Sequence, residues 1–167
     1  MKDRIHLAPF SEAHVGRTFE WVRDPDFQRL FLMRQAPTWE SHLDYFRRVL
    51  ADERQRVYAV VEDERHIGNG GIKNISRSDR SGEIWIYIGD RADRGGGAGS
   101  RATELLMQEG FRNLGLRAVL VHVADFNEQA IRMYRKLGFA EPALPGDDED
   151  WKGRGCAVIR LEARNDS

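Results

Sequence analysis

The sequence predicts one α/β domain built on a mixed, mostly antiparallel sheet with helices on both faces. Three observations carry that prediction. "RVYAVVE" (Arg56–Glu62), "HIGNGGIKNI" (His66–Ile75) and "GEIWIYIG" (Gly82–Gly89) follow one another through short polar turns, the pattern of an antiparallel meander. A helical pattern then separates "GEIWIYIG" from the buried-strand run "RAVLVHV" (Arg117–Val123), as a β-α-β crossover requires. The total length, 167 residues, suits one domain with a sizeable core.

The elements follow in order. "RIHLA" (Arg4–Ala8) alternates like a short strand. Ser11 is placed to cap a helix running to about Val22. "DPDFQRLF" reads as a second short helix opened by Pro25. Thr38 caps a third, "WESHLDYFRRVLA", with Glu40 in its first turn, where the helix dipole favours a carboxylate. The meander follows, its first two strands joined by "DER". In the helix after the glycine cluster, Ala102, Leu106, Met107, Gly110, Phe111 and Leu114 share one side. "NEQAIRMYRKLG" is a helix closed by Gly138, and "CAVIRLE" (Cys156–Glu162) is a final strand. The expected order is β-α-α-α-β-β-β-α-β-α-β-β.

Composition narrows the function. The net charge of −1 offers no basic excess for nucleic acid, and no basic amphipathic segment suggests a membrane surface. The apolar runs are too short to span a bilayer, and "MKDRIHLAPF" lacks an export signal, so a cytoplasmic protein is expected. Cys156, the one cysteine, reads as a small buried hydrophobe at a strand start. No histidine or carboxylate pair has metal-ligand spacing, so no metal is expected.

The most informative stretch is "DRADRGGGAGSRATELL" (Asp90–Leu106), with four glycines in five residues between a strand and a helix. Such a turn exposes backbone N–H groups at the positive end of a helix dipole, which is a phosphate site. A Walker A loop needs a lysine that "GSRA" lacks. Gly97, Gly99 and Ala102 fit a dinucleotide fingerprint, with Asp125 as a ribose ligand, but about eight residues separate Ile88 from the first expected glycine and no N-terminal βαβ unit is present. Arg94-Gly95-Gly96-Gly97-Ala98-Gly99 matches R/Q-x-x-G-x-G/A, and "RAVLVHVADFNEQAIRMYRKLGF" continues the match. Together these segments resemble the GNAT acetyltransferase superfamily over about Gly82 to Phe139. "EWVRDPDF", "PTWESHLDYF", "HIGNGGIKNI" and "WIYIGD" are similar to its RimJ/RimL-like branch, and more so to bacterial acetyltransferases of nucleotide-linked amino sugars.

The resemblance implies a sheet splayed between its fourth and fifth strands, an acetyl-CoA-binding core over residues 82–139 and an acceptor side in residues 1–55. It implies acetyl-CoA as acyl donor and a small-molecule amine, such as a sugar nucleotide, as acceptor, in a monomer or homodimer. The amides of Gly95, Gly96, Gly97, Ala98, Gly99 and Ser100 would hold the pyrophosphate. Arg94 would contact a phosphate or tie the loop to the sheet, and Arg101 would reach a phosphate or lie on a solvated face. Ile86, Tyr87 and Ile88 would offer backbone hydrogen bonds to the pantetheine arm. Asn127 would contact that arm or cap its helix. Tyr134 matches the tyrosine that serves as general acid, the alternative being a core tyrosine. Alternation puts Glu83, Trp85 and Tyr87 on one strand face, opposite Ile84, Ile86 and Ile88. Glu83 is therefore a candidate proton acceptor, its carboxyl lifted towards neutrality by aromatic neighbours, or else a structural carboxylate. Trp85, with Trp39 and His42 of the N-terminal arm, is expected on the acceptor side, though His42 also reads as a lone surface histidine. The acidic run Gly146–Asp150 reads as a cation lure or a solvated turn. N-terminal peptide acetylation and a non-catalytic coenzyme A module are the competing functions.

Overall fold

The structure is a computed structural model and describes residues 4–142 and 157–165. The strands are β1 (Ile5–Pro9), β2 (Arg56–Glu62), β3 (Arg65–Ser76), β4 (Ser81–Ile88), β5 (Ala118–Ala124) and β6 (Val158–Arg164). They form one six-stranded sheet in sequence order, every neighbour antiparallel except the parallel pair β4–β5. The helices are α1 (Val15–Val22), α2 (Pro25–Leu30), α3 (Trp39–Ala51), α4 (Ala98–Gln108) and α5 (Glu128–Lys136). The α/β class and the mixed sheet are as the sequence predicts.

Local chemistry sets the helix starts. The Asp24 carboxylate accepts from the Asp26 amide ahead of Pro25, and Thr38 and Ser41 form a reciprocal cap at α3. Ser11 caps a short 3₁₀ turn (Glu12–His14) that leads into α1. Gly138, at φ 101°, follows the last residues of α5, where only a residue without Cβ enters the left-handed region freely. Two expectations change at the C-terminal side. A single bridge, Ala140 to Glu162, stands in place of a second strand after α5 among the described residues. The last strand begins at Val158, while Cys156 and Gly146–Asp150 lie outside the described residues.

The two sheet faces are buried differently. Ile72, Ile84, Val119, Val121 and Val123 pack with Leu106 of α4 and Tyr134 of α5, and Ile88 packs with Ala98 and Ala102. The opposite face is covered by the helical arm: Trp85 meets the Phe10–Val15–Phe46 cluster, and Tyr87 meets Trp21, Phe27 and Phe31. Alternation along β4 thus sends its isoleucines to α4 and α5 and its aromatics to the arm. Beneath the arm a polar group is fully bonded: Asn69 donates to Thr18 Oγ1 and to the Tyr87 hydroxyl, both at 2.8 Å, while its Oδ1 lies 2.7 Å from His66 Nε2.

The arm seats on the end of β4 through Trp21, whose indole N–H donates to Asp90 at 3.2 Å. A Cβ at Gly89 would lie 2.0 Å from that ring. Gly89→Ala is expected to destabilise the protein by about 1–3 kcal/mol through overpacking, read from urea unfolding. An unchanged midpoint would contradict this seating of the arm.

Candidate active site

β4 and β5 run side by side only from Ser81–Glu83 against Ala118–Leu120, and beyond that they part. Backbone alternation decides what lines the opening. The Gly89 amide donates to Ile67, and the Tyr87 and Trp85 carbonyls lie against Gly68 and Gly70 of β3. The peptide groups of Ile86 and Ile88 therefore face the gap. A cavity of about 580 Å³ occupies it, walled by β4 residues 85–88, by β5 residues 122–124, and by α5 through Asn127, Met133 and Tyr134.

The glycine loop closes one end of the cavity. Gly97 is the N-cap of α4 in the left-handed region, φ 92°, which lets the chain turn directly from loop to helix. Gly95, Gly97, Gly99 and Ser100 line the cavity, and a Cβ on Gly99 would sit 3.8 Å from both Ile88 Cγ1 and Met133 Sδ. Arg94 is an anchor: Nε donates to the Ile88 carbonyl at 2.9 Å and Nη2 to the Gly89 carbonyl at 2.8 Å. It thereby satisfies a gap-facing carbonyl that the missing strand contact leaves. Donor amides at the positive end of α4, with glycines where a side chain would fill the space, suit the pyrophosphate of acetyl-CoA. The gap-facing peptide groups suit an amide-bearing arm. Asn127 caps α5, accepting from the Ala130 amide at 3.3 Å, and lines the cavity as well.

Tyr134 reaches the cavity from the α5 side, with its ring edge against Phe139. Burial pushes its phenol well above the ordinary range, so it carries its proton at neutral pH. The arm side of the cavity is contributed by Lys73, Trp85, Tyr87 and His122, roofed by Leu30, Phe31 and Leu32. Trp85 and Tyr87 stack at 5.8 Å.

Several expected roles are corrected. Glu83 does not line the cavity; its carboxylate lies behind it, 3.2 Å from His122 Nδ1 and 3.5 Å from Lys73 Nζ. Burial raises its pKa, but the adjacent His122 and the charge of Lys73 outweigh burial and hold it below the usual carboxylate range. Its aromatic neighbours therefore do not lift it towards neutrality. Tyr87 turns its peptide groups to β3, so its side chain, not its backbone, meets the cavity. Gly96 is off the wall, and Ala98 turns its methyl into the core. His42 is neither on the surface nor in the cavity: it is buried between Phe19 and Phe46, with Nε2 3.2 Å from the Val15 carbonyl, and burial lowers its pKa. Trp39 is exposed at the outer side of Phe19. Sequence reading missed Lys73, His122, Met133 and the Leu30–Leu32 roof. Register was the available signal for the first two: Lys73 pairs with Glu83, and His122 alternates with Leu120 on the same face.

A family model described as an acetyltransferase (GNAT) domain matches residues 4–140. The chain is similar to an N-acetyltransferase 9-like protein of Nematostella vectensis, 26% identical over 157 residues, covering 83% of this chain and 76% of that protein. It is 33% identical over 136 residues to the spermidine N(1)-acetyltransferase of Escherichia coli K12, covering 81% and 73%. It is 24% identical over 150 residues to the acetyltransferase PseH of Campylobacter jejuni, covering 88% and 90%. Among solved structures, the spermidine N-acetyltransferase of Vibrio cholerae in complex with CoA and spermine superposes with a TM-score of 0.85 at 18% identity, over 97% of this chain and 96% of that one. Among the described residues no group of three histidine, cysteine or carboxylate side chains is placed to hold a metal, and no helix is long and apolar enough to cross a membrane.

Gly99 gives the cleanest test of the loop, because a Cβ there meets only ordinary contacts from the protein. Gly99→Val is expected to keep the unfolding midpoint and to abolish the thermal shift given by acetyl-CoA. Full binding by this variant would remove the loop from the site.

Proposed function

The chain belongs to the GNAT acetyltransferase family, and on that premise we propose that it acetylates the primary amine of a nucleotide-linked amino sugar. It is an acetyl-CoA-dependent N-acetyltransferase. Acetyl-CoA supplies the activated acetyl group; the chain's own residues orient it, exclude water and move protons. The observation that carries the acceptor reading is the charge of the cavity wall. On the arm side Lys73 is the lining cation and no described lining residue is a carboxylate, while Arg94, Arg132 and Lys136 stand on the donor side. An acceptor bearing several ammonium groups meets like charge there, whereas phosphate groups meet complementary charge. The stacked Trp85 and Tyr87 add a flat apolar surface suited to a sugar or a base. At the rim, Arg29 stacks 4.7 Å over Phe126, beside Asn127, and brings a further cation to the mouth.

Tyr134 is the general acid in this reading. Its protonated phenol stands on the α5 side of the gap, opposite the arm-side wall from which the amine arrives, and donates to the departing sulfur. The glycine loop and the Ile86 and Ile88 peptide groups hold the donor; Trp85 and Tyr87 hold the acceptor. A RimJ/RimL-type activity on a protein or peptide N-terminus is the second reading, favoured by the similarity to a relative named for a protein acceptor, the alpha/beta-tubulin-N-acetyltransferase 9 of Homo sapiens.

The acceptor is tested by free-thiol release from acetyl-CoA with UDP-linked amino sugars, spermidine, aminoglycosides and N-terminal peptides as a panel. The highest kcat/KM is expected for an amino sugar nucleotide; a higher value for spermidine or a peptide would overturn the reading. Tyr134→Phe is expected to keep acetyl-CoA affinity and lower kcat by ~10²–10⁴-fold. Undiminished turnover would leave Tyr134 a packing residue.

A further inference from the structure

The two aromatic rings on the arm side of the cavity are held from behind by β3. Asn69 and Tyr87 are cross-strand partners, as are Gly71 and Trp85, so all four share one face of the sheet. A Cβ on Gly71 would lie 2.9 Å from Trp85 Cε2 and Cζ2, so the indole rests where β3 lacks a side chain. Asn69 is fully buried and uses both ends of its amide. Its Nδ2 donates to the Tyr87 hydroxyl and to Thr18 Oγ1, both at 2.8 Å, and its Oδ1 accepts from His66 Nε2 at 2.7 Å. The direction of this chain is fixed. The Thr18 hydroxyl donates its proton to the His14 carbonyl at 2.9 Å, so towards Asn69 it can only accept. That turns the Asn69 amino group to Tyr87 and its carbonyl to His66, which must carry a proton on Nε2.

We propose that Asn69 is the positioning residue of the acceptor wall: it sets the depth of the Tyr87 ring beside Trp85, and His66 in turn orients Asn69. The inference rests on the reading that Trp85 and Tyr87 hold the acceptor, but not on which amine is acetylated. Phe27 and Phe31 pack on the Tyr87 ring at 4.9 and 5.6 Å, and Trp85 stacks on it at 5.8 Å. Apolar burial is non-directional and tolerates a small slide of the ring, whereas the 2.8 Å bond at its hydroxyl allows one depth. A displaced ring alters the seat of the acceptor. It leaves the donor site alone, because that site is built from the glycine loop and the gap-facing peptide groups of Ile86 and Ile88.

Asn69, Thr18 and His66 do not line the cavity, so a change at any of them reaches the acceptor through Tyr87. His66 is the farther link. Its ring packs against Trp21 at 4.9 Å and His14 at 4.8 Å, so it combines a packing role with a hydrogen-bonding role. Two substitutions separate them: phenylalanine keeps a ring and loses the N–H, while glutamine loses the ring and keeps an N–H donor. The bond to Asn69 also survives a change of charge on His66, because the added proton goes to Nδ1 and leaves the Nε2–H in place.

The test uses the full chain and compares KM for the acceptor with KM for acetyl-CoA, taking the panel amine of highest kcat/KM. H66F, N69A and Y87F are each expected to raise the acceptor KM about 3–10-fold, the effect of losing one hydrogen bond, with KM for acetyl-CoA unchanged. H66Q is expected to keep the wild-type acceptor KM. The N69A/Y87F double variant is expected to match Y87F alone, because Asn69 acts through that hydroxyl. A wild-type acceptor KM in H66F and N69A, with only the unfolding midpoint lowered, would make the group purely structural and overturn the proposal. Equal acceptor KM values in H66F and H66Q, or effects that multiply in the double variant, would also overturn it. If N69A does not fold, H66F against H66Q decides the outcome. Spectra of the chain labelled with ¹⁵N-histidine, assigned with H66Q, need no acceptor: neutral His66 is expected to carry its proton on Nε2, and a proton on Nδ1 would overturn the chain of bonds. If the best amine is spermidine or a peptide, the amino-sugar reading fails and the same KM comparison still decides this one.

Discussion

β4 and β5 hold each other for three residues and then separate, and nearly every functional feature of the molecule follows from that separation. A sheet interior normally spends its backbone donors and acceptors on its neighbours. Here the Ile86 and Ile88 peptide groups face an opening. Arg94 satisfies one gap-facing carbonyl and in doing so pins the glycine loop to the end of β4. The loop is thus held by the same edge that the gap exposes, and α4 starts where its dipole points into the cavity.

The gap also joins two chemically different faces. On the α4 and α5 side the wall carries the glycine loop, Met133 and Tyr134 together with Arg94, Arg132 and Lys136. On the arm side it carries lysine, histidine and two stacked aromatics. The two faces open to one another only where the strands part. Tyr134 and His122 are separated by that same geometry, one on each side. Burial raises the phenol's pKa.

Much of this was legible in the sequence. The alternation of "GEIWIYIG" sorts its isoleucines from its aromatics as the two faces require, and the caps at Ser11, Asp24, Thr38 and Asn127 start the helices where expected. The glycine cluster marks the loop because only a residue without a side chain takes the φ of Gly97 cheaply. What was not legible depends on register between strands distant in the chain. Lys73 and His122 become neighbours of Glu83 only once β3, β4 and β5 are aligned, and the carboxylate's low pKa is a property of that alignment. His42 shows the converse: its helix is right, but the face it turns inward is set by Phe19 and Phe46, and packing against α1 takes it into the core.

The central claim is that the divergence of β4 from β5 is the donor site. Amide hydrogen exchange with and without acetyl-CoA measures it directly, since the Ile86 and Ile88 amides face the gap while those of Tyr87 and Gly89 point to β3. The account predicts that acetyl-CoA slows exchange at Ile86, Ile88, Gly95, Gly97, Gly99 and Ser100 and leaves Tyr87 and Gly89 unchanged. Equal protection along β4, or protection confined to other strands, would contradict it.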